Sequence, residues 1–251
     1  MYKSPANTLF VGKNVVYVPE CHSTNTLATQ LSQNSPATEG TVVITSNQTA
    51  GRGQRGNSWV VEPNQNLTLS VILKPGFLML SQQFLLNVVV SLAVRDVLAE
   101  VLSGAVYIKW PNDILVHESK ICGILIENQL RGKTIETAVV GIGLNVNQSN
   151  LLPEKATSLA QQTNRQWDLD ALFGVLMGKL ESRYLQLKQH RSAALKSEYL
   201  SNLYRRNELH RFMTDSDQFE GKITGVDELG RLEVFVDDQP RYFEVKQIRY
   251  L

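Results

Sequence analysis

Cysteine is nearly missing from this chain of 251 residues, which has only Cys21 and Cys122. The two form neither a CxxC pair nor a metal-ligand spacing. That excludes a disulfide framework and a cysteine-built zinc site, and it fits a reducing compartment. Both read as buried small hydrophobes. The four histidines, His22, His117, His190 and His210, do not cluster, and none is assigned a catalytic role. No apolar run reaches the ~20 residues needed to span a bilayer. The N-terminus MYKSPANTLF lacks a cationic segment followed by an apolar core, so it does not read as a secretory signal. The expected compartment is the cytoplasm, with no membrane partner. Net charge is missing as well. With 25 Lys+Arg against 24 Asp+Glu the formal balance is +1, so no global field argues for nucleic acid or an anionic surface. Repeats and low-complexity tracts are absent.

What remains is the composition of an ordinary globular protein, long enough for one large domain and a small appended one. Basic charge is local, and its densest mixture with glycine is Gly51-Arg52-Gly53-Gln54-Arg55-Gly56-Asn57-Ser58-Trp59. Three glycines let the backbone approach a ligand closely and turn N–H groups toward phosphate or carboxylate oxygens. Arg52 and Arg55 add charge. The stretch joins two strand-like runs, Thr41 to Ser46 and Asn66 to Leu73, and a long polar connection inside a compact domain points to function. The competing reading is a flexible surface loop with solvated arginines, and Trp59 opposes it, since a buried Trp at the start of the next strand would anchor one end of the loop, whether or not it also stacks on a base. The glycine spacing is no dinucleotide fingerprint, because that needs a helix after the glycines and a strand follows here.

In chain order, Asn14 to Pro19 reads as a strand, and a helix runs from Thr26 to about Gln33 with Ser23 or Thr24 suited to cap it. Exposed hydroxyls at a helix N-terminus also suit a small polar ligand. Ser81 to Leu102 reads as one long buried helix. Ala105 to Ile108 is a short strand leading into Lys109-Trp110-Pro111-Asn112-Asp113, where proline forces a turn that presents Asn112 and Asp113. A hairpin follows, from Ile114 to His117 and from Lys120 to Asn128. Gly123 within it marks a bulge or a close approach. Thr134 to Ile142 is a strand delivering Gly141-Ile142-Gly143-Leu144-Asn145. Asp168 to about Arg206 is amphipathic helix. Phe219 to Thr224, Leu232 to Val236 and Arg241 to Val245 form a small β-unit, which gives expected domains of residues 1–206 and 207–251.

Taken together, Ser23-Thr24-Asn25, the loop Gln48 to Trp59, Lys109 to Asp113, Lys120-x-x-Gly123-Ile124-Leu125 and Gly141 to Asn145 resemble the biotin protein ligases. The resemblance runs in order from Ser23 to Asn147, and the small β-unit continues it. It implies an α+β fold, a mixed sheet with helices on one face as in class II synthetases, plus an SH3-like C-terminal barrel. It also implies activation of biotin by ATP, with Mg2+, to biotinyl-adenylate, then transfer to a lysine of the biotin carboxyl carrier protein of acetyl-CoA carboxylase. A carboxylate is a poor acyl donor, which is why activation must come first. By resemblance, biotin is bound by Ser23, Thr24, Asn25, Gln48, Gly51, Arg52, Gly53, Lys120 and Gly123. ATP falls to Arg55, Trp59, Lys109, Asn112 and Asn145, and the catalytic groups are Lys120, Arg52, Arg55 and Asp113. Asp113 either ligates magnesium or accepts a hydrogen bond from the incoming lysine. Some relatives carry an N-terminal winged helix that represses transcription. The segment before Ser23 is too short for one, so no DNA partner is expected; a homodimer is allowed. Gln54 departs from the family pattern, standing where many relatives have a second loop arginine. The rival readings are a lipoate or other acyl-protein ligase of the same fold and a nucleotide-binding module without catalysis.

Overall fold

A computed structural model describes residues 2–34, 37–149 and 153–251. The main sheet comprises β1 (Val15–Cys21), β2 (Val42–Gln48), β3 (Leu67–Leu73), β4 (Val106–Lys109), β5 (Asp113–Val116), β6 (Ser119–Arg131) and β7 (Thr134–Leu144). Among the described residues it is seven-stranded, in the order β1-β2-β3-β7-β6-β5-β4. Only β1 and β2 pair in parallel, and a parallel pair needs a crossover rather than a hairpin. That crossover is α1 (Thr24–Asn34). It packs through Ala28 on Val43, Ile72 and Val139, and it starts where β1 ends. The helix N-terminus and the end of β2 are thereby brought to one place.

The opposite face carries the main core. Its centre is α2 (Phe84–Val101), entered through a 3-10 turn at Leu80–Gln82 rather than running unbroken from Ser81. Most of α2 is apolar and buried because it lies between the sheet and two further helices, while its polar residues Asn87, Arg95, Asp96 and Glu100 keep some exposure. Those helices correct the expectation of one helix from Asp168 to Arg206. α4 (Leu169–Lys188) and α5 (Ser192–Ser201) are separate, after the short α3 (Leu159–Thr163). His190 breaks the run at φ 60°. The turn lets α5 bury Leu195 and Tyr199, with the Tyr199 ring edge-on to Phe84 at 5.7 Å. Arg183 of α4 joins the three large helices, bonding Asp96 of α2 and Glu198 of α5.

The small unit contains two strands more than its sequence pattern suggests. β8 (Leu209–Met213), β9 (Gln218–Val226), β10 (Leu232–Val236), β11 (Gln239–Phe243) and β12 (Arg249–Tyr250) form an antiparallel sheet in the order β11-β10-β9-β8-β12. It is fastened to the larger part. The buried Trp110 indole donates to the Gly230 carbonyl at 2.9 Å, and Phe84 packs where a Gly230 side chain would stand. Of the two cysteines only Cys122 is buried. Cys21, at the end of edge strand β1, is half-buried, so the expectation of two buried thiols holds for one. No helix among the described residues is long and apolar enough to cross a membrane.

Candidate active site

Register across the sheet assembles the site. Thr68 of β3 pairs with Gly143 of β7, Gly143 with Gly123 of β6, and Gly123 with Asp113 of β5. One row further on, Ser70 pairs with Gly141 and Gly141 with Leu125. The glycines clear the floor. A Cβ on Gly143 would lie 2.4 Å from Trp59 Cε2, one on Gly123 would meet the same indole at 3.1 Å, and one on Gly141 would strike Asn25 Oδ1 at 2.4 Å. Trp59 is therefore half-buried on a Gly–Gly cross-strand seat. It stands ahead of the next strand and not at its start, since β3 begins only at Leu67.

The loop folds back on itself above that seat. Trp59 N–H donates to Gly51 O at 2.8 Å and Gly53 N–H to Asn57 O at 2.6 Å, with a 3-10 turn at Gln54–Gly56 as the tip. These two N–H groups are thus spent on closing the loop, and they are not aimed at a ligand. The Arg55 side chain lies outside the described residues. At the loop base a hydrogen-bonded chain crosses three elements. Thr24 N–H donates to Gln48 Oε1 at 2.9 Å, and the Ser70 hydroxyl sits 2.8 Å from Thr24 Oγ1 and 2.6 Å from Asn25 Oδ1. Asn25 Nδ2 and Arg52 Nη2 both donate to Glu127 Oε2, at 2.8 and 3.0 Å. The Thr24 hydroxyl is thus drawn into the site.

These groups surround a cavity of about 210 Å³ whose lining includes Ser23, Thr24, Asn25, Gln48, Arg52, Gly53, Trp59, Asn112, Asp113, Lys120 and Gly123. Lys120 Nζ is 2.6 Å from Asp113 Oδ1 and 5.4 Å from the Trp59 ring centroid. Asn112 lines the cavity while tying its turn to β6, its amide donating to Ile124 O at 2.6 Å. Three expected residues stand apart. Asn145 is buried with its amide donating to Thr157 O at 3.0 Å, so its side chain serves packing instead of the cavity. Lys109 lines a neighbouring cleft, its Nζ 4.8 Å from the Tyr250 ring centroid, and burial holds its pKa below the usual lysine value. Gly51 faces the open side of the loop.

Four participants carried no signal of their own in the sequence. Ser70 and Glu127 are ordinary strand residues until register sets them beside Asn25, and Val245 and Lys246 reach the cavity from the small unit. Among the described lining residues the charges are Arg52, Lys120 and Lys246 against Asp113, so the cavity suits an anion. Asp113 is the single carboxylate there, and among the described residues no group of three His, Cys, Asp or Glu is placed to hold a metal ion. One carboxylate fits a magnesium ion that arrives on a polyphosphate, which draws most of its ligands from phosphate and water.

Residues 17–145 match the biotin/lipoate A/B protein ligase family. The bifunctional ligase/repressor BirA of Bacillus subtilis is 32% identical over 230 residues, covering 90% of this chain and 70% of the relative. The biotin–[acetyl-CoA-carboxylase] ligase of Paracoccus denitrificans is 30% identical over 221 residues, 84% of this chain and 89% of that one. In structure, the biotin protein ligase from Aquifex aeolicus in complex with biotin and ATP superposes with a TM-score of 0.79 at 25% identity, over 95% of this chain and 100% of the other. The match spans the loop, both glycine-bearing strands and the Lys109–Asp113 turn, and by it the chain belongs to the biotin/lipoate A/B protein ligase family.

Proposed function

We propose that this chain is a biotin protein ligase acting in two steps. Biotin carboxylate attacks the α-phosphorus of ATP, the α–β bridging bond breaks, and biotinyl-5'-AMP and pyrophosphate form. The ε-amine of an acceptor lysine then attacks the acyl carbon and AMP leaves. The observation that carries the reading is the convergence of Lys120, the glycine–arginine loop and the Gln48–Thr24–Asn25 network on one cavity. Relatives named as biotin ligases favour biotin over lipoate as the acid.

Within this reading, Lys120 leaves Asp113 for the incoming carboxylate and stabilises charge that gathers in the transition state. Ser23, Thr24, Asn25, Gln48, Gly53 and Gly123 form the biotin end, and Gly51 serves it by closing the loop, its carbonyl accepting from Trp59 N–H. Trp59 stacks on the adenine, with Asn112 beside it and Arg55 at the phosphates. Lys109 acts from the adjacent cleft, and Asn145 serves by holding the β7 end. Arg52 exchanges Glu127 for the ligand carboxylate. Asp113 is the residue that would hold a magnesium ion, which would offset negative charge on the phosphates when bound. The acceptor is the biotin carboxyl carrier protein of acetyl-CoA carboxylase, met in the cytoplasm.

Pyrophosphate release from ATP, measured with biotin, lipoate or octanoate and no acceptor protein, tests the proposal. Release with biotin alone supports it. Release with lipoate instead makes the chain an acyl ligase of the other branch, and nucleotide binding without release removes the enzyme.

A further inference from the structure

The small C-terminal sheet does more than cover the larger domain. Val245 and Lys246, in the segment between β11 and β12, line the cavity that also holds Trp59, Lys120 and Asp113. Gln54 and Asn57, two neutral loop residues, line the same cavity. Lys246 also lines a second cleft of about 510 Å³ between the two sheets, together with Lys109, Arg249 and Tyr250. Pro111, Asp113, Val245 and Lys246 belong to both linings, so the two spaces meet at Lys246. Lys246 is non-glycine at φ 73°. A left-handed backbone is a strained choice for lysine and persists where the surroundings fix it. The sheet that carries it is tied to the Lys109–Asp113 turn through Trp110 and Gly230.

We propose that Lys246 binds the β- and γ-phosphates of the nucleotide and then the departing pyrophosphate, supplying from the second domain the cation that Gln54 and Asn57 do not provide. The product leaves through the cleft lined by Lys109 and Arg249. This rests on the ligase reading: pyrophosphate carries off the bridging oxygen and the electron pair of the broken α–β bond, and a cation at the mouth of a basic cleft favours that charge.

Lys246→Gly is the clean deletion, because glycine adopts the same backbone without strain. Calorimetry with inorganic pyrophosphate should show affinity about tenfold weaker or worse, the effect of losing one hydrogen bond to a charged group. The KM for ATP in biotin-dependent ATP–pyrophosphate exchange should rise in parallel. Biotin affinity should not move, and Lys246→Arg should restore both. Pyrophosphate affinity within twofold of wild type overturns the site even if exchange is normal. If wild type shows no biotin-dependent exchange while its pyrophosphate binding still requires Lys246, the ligase reading falls and the anion site stands.

Discussion

Trp59 rests on the Gly123–Gly143 pair and Lys120 beside it on Gly123, which ties the two proposed roles to missing side chains. Gly143→Ala would place a methyl inside the indole at 2.4 Å, so the ring must lift from its seat. Base–aromatic stacking contributes ~1–3 kcal/mol. Gly143→Ala and Trp59→Ala should therefore both raise the KM for ATP by about 5- to 100-fold while biotin affinity changes less. Equal loss of both ligands with a lowered melting temperature would assign Trp59 to packing. Lys120→Ala should abolish adenylate formation with the fold retained, since Lys120 is about a third exposed and its main partner is Asp113; normal pyrophosphate release by that variant would refute its role. At this scale the sequence was legible where a residue type is unusual for its place: glycine in a strand, tryptophan in a polar loop, lysine at a strand end. Ser70, Glu127 and Lys246 are unremarkable locally, and only register and the docking of the small sheet give them neighbours.

Elements were readable where one periodicity held and misread where tertiary contact overrode it. The run from Asp168 keeps an apolar period past residue 190, so nothing local announces the break at His190. The break is selected by the burial of Tyr199 against α2. The Arg183 bridge then holds the three helices together, with hydrogen bonds to Asp96 as the leading cause of its raised pKa. The Arg183 side chain is 13% exposed and that of Asp96 18%, whereas Glu198 at 39% stays in contact with solvent, so Arg183→Met would leave Asp96 as the largely buried carboxylate without a counter-charge. Breaking such a pair costs roughly 3–5 kcal/mol, and for a protein of this size each kcal/mol moves the melting temperature by about 2–4 °C. A fall of about 6–20 °C in a thermal melt is expected, with adenylation at low temperature unchanged because the bridge lies on the face opposite the site. A variant that melts within 2 °C of wild type, roughly the smallest shift the same scaling resolves, would show the bridge to be solvated.

At the scale of the whole molecule, the small unit was legible as a β-rich region, but its contribution to the cavity was not, because no local pattern records which face docks. Docking depends on the turn before β10. Asp227 accepts from the N–H groups of Leu229 at 3.0 Å and Arg231 at 2.8 Å, and from Arg231 Nε at 2.7 Å. That shape brings Gly230, at φ +88°, under Phe84 and its carbonyl to Trp110. Burial pushes the Asp227 carboxyl upward, but the bonds from Arg231 and Leu229 outweigh it and hold it below its usual value of 3.8. A depressed carboxylate contributes stability that is complete above 3.8 and is lost as pH falls through the lower folded value. Acid should therefore loosen this turn and, with it, the seat of Lys246. Limited proteolysis of the segment between α5 and β8 with an acid-active protease should accelerate in wild type as the pH is lowered below about 4. Asp227→Asn should be cut readily already at pH 5 and change little from there downward. If wild type and variant show the same pH dependence, other carboxylates control the docking and Asp227 does not.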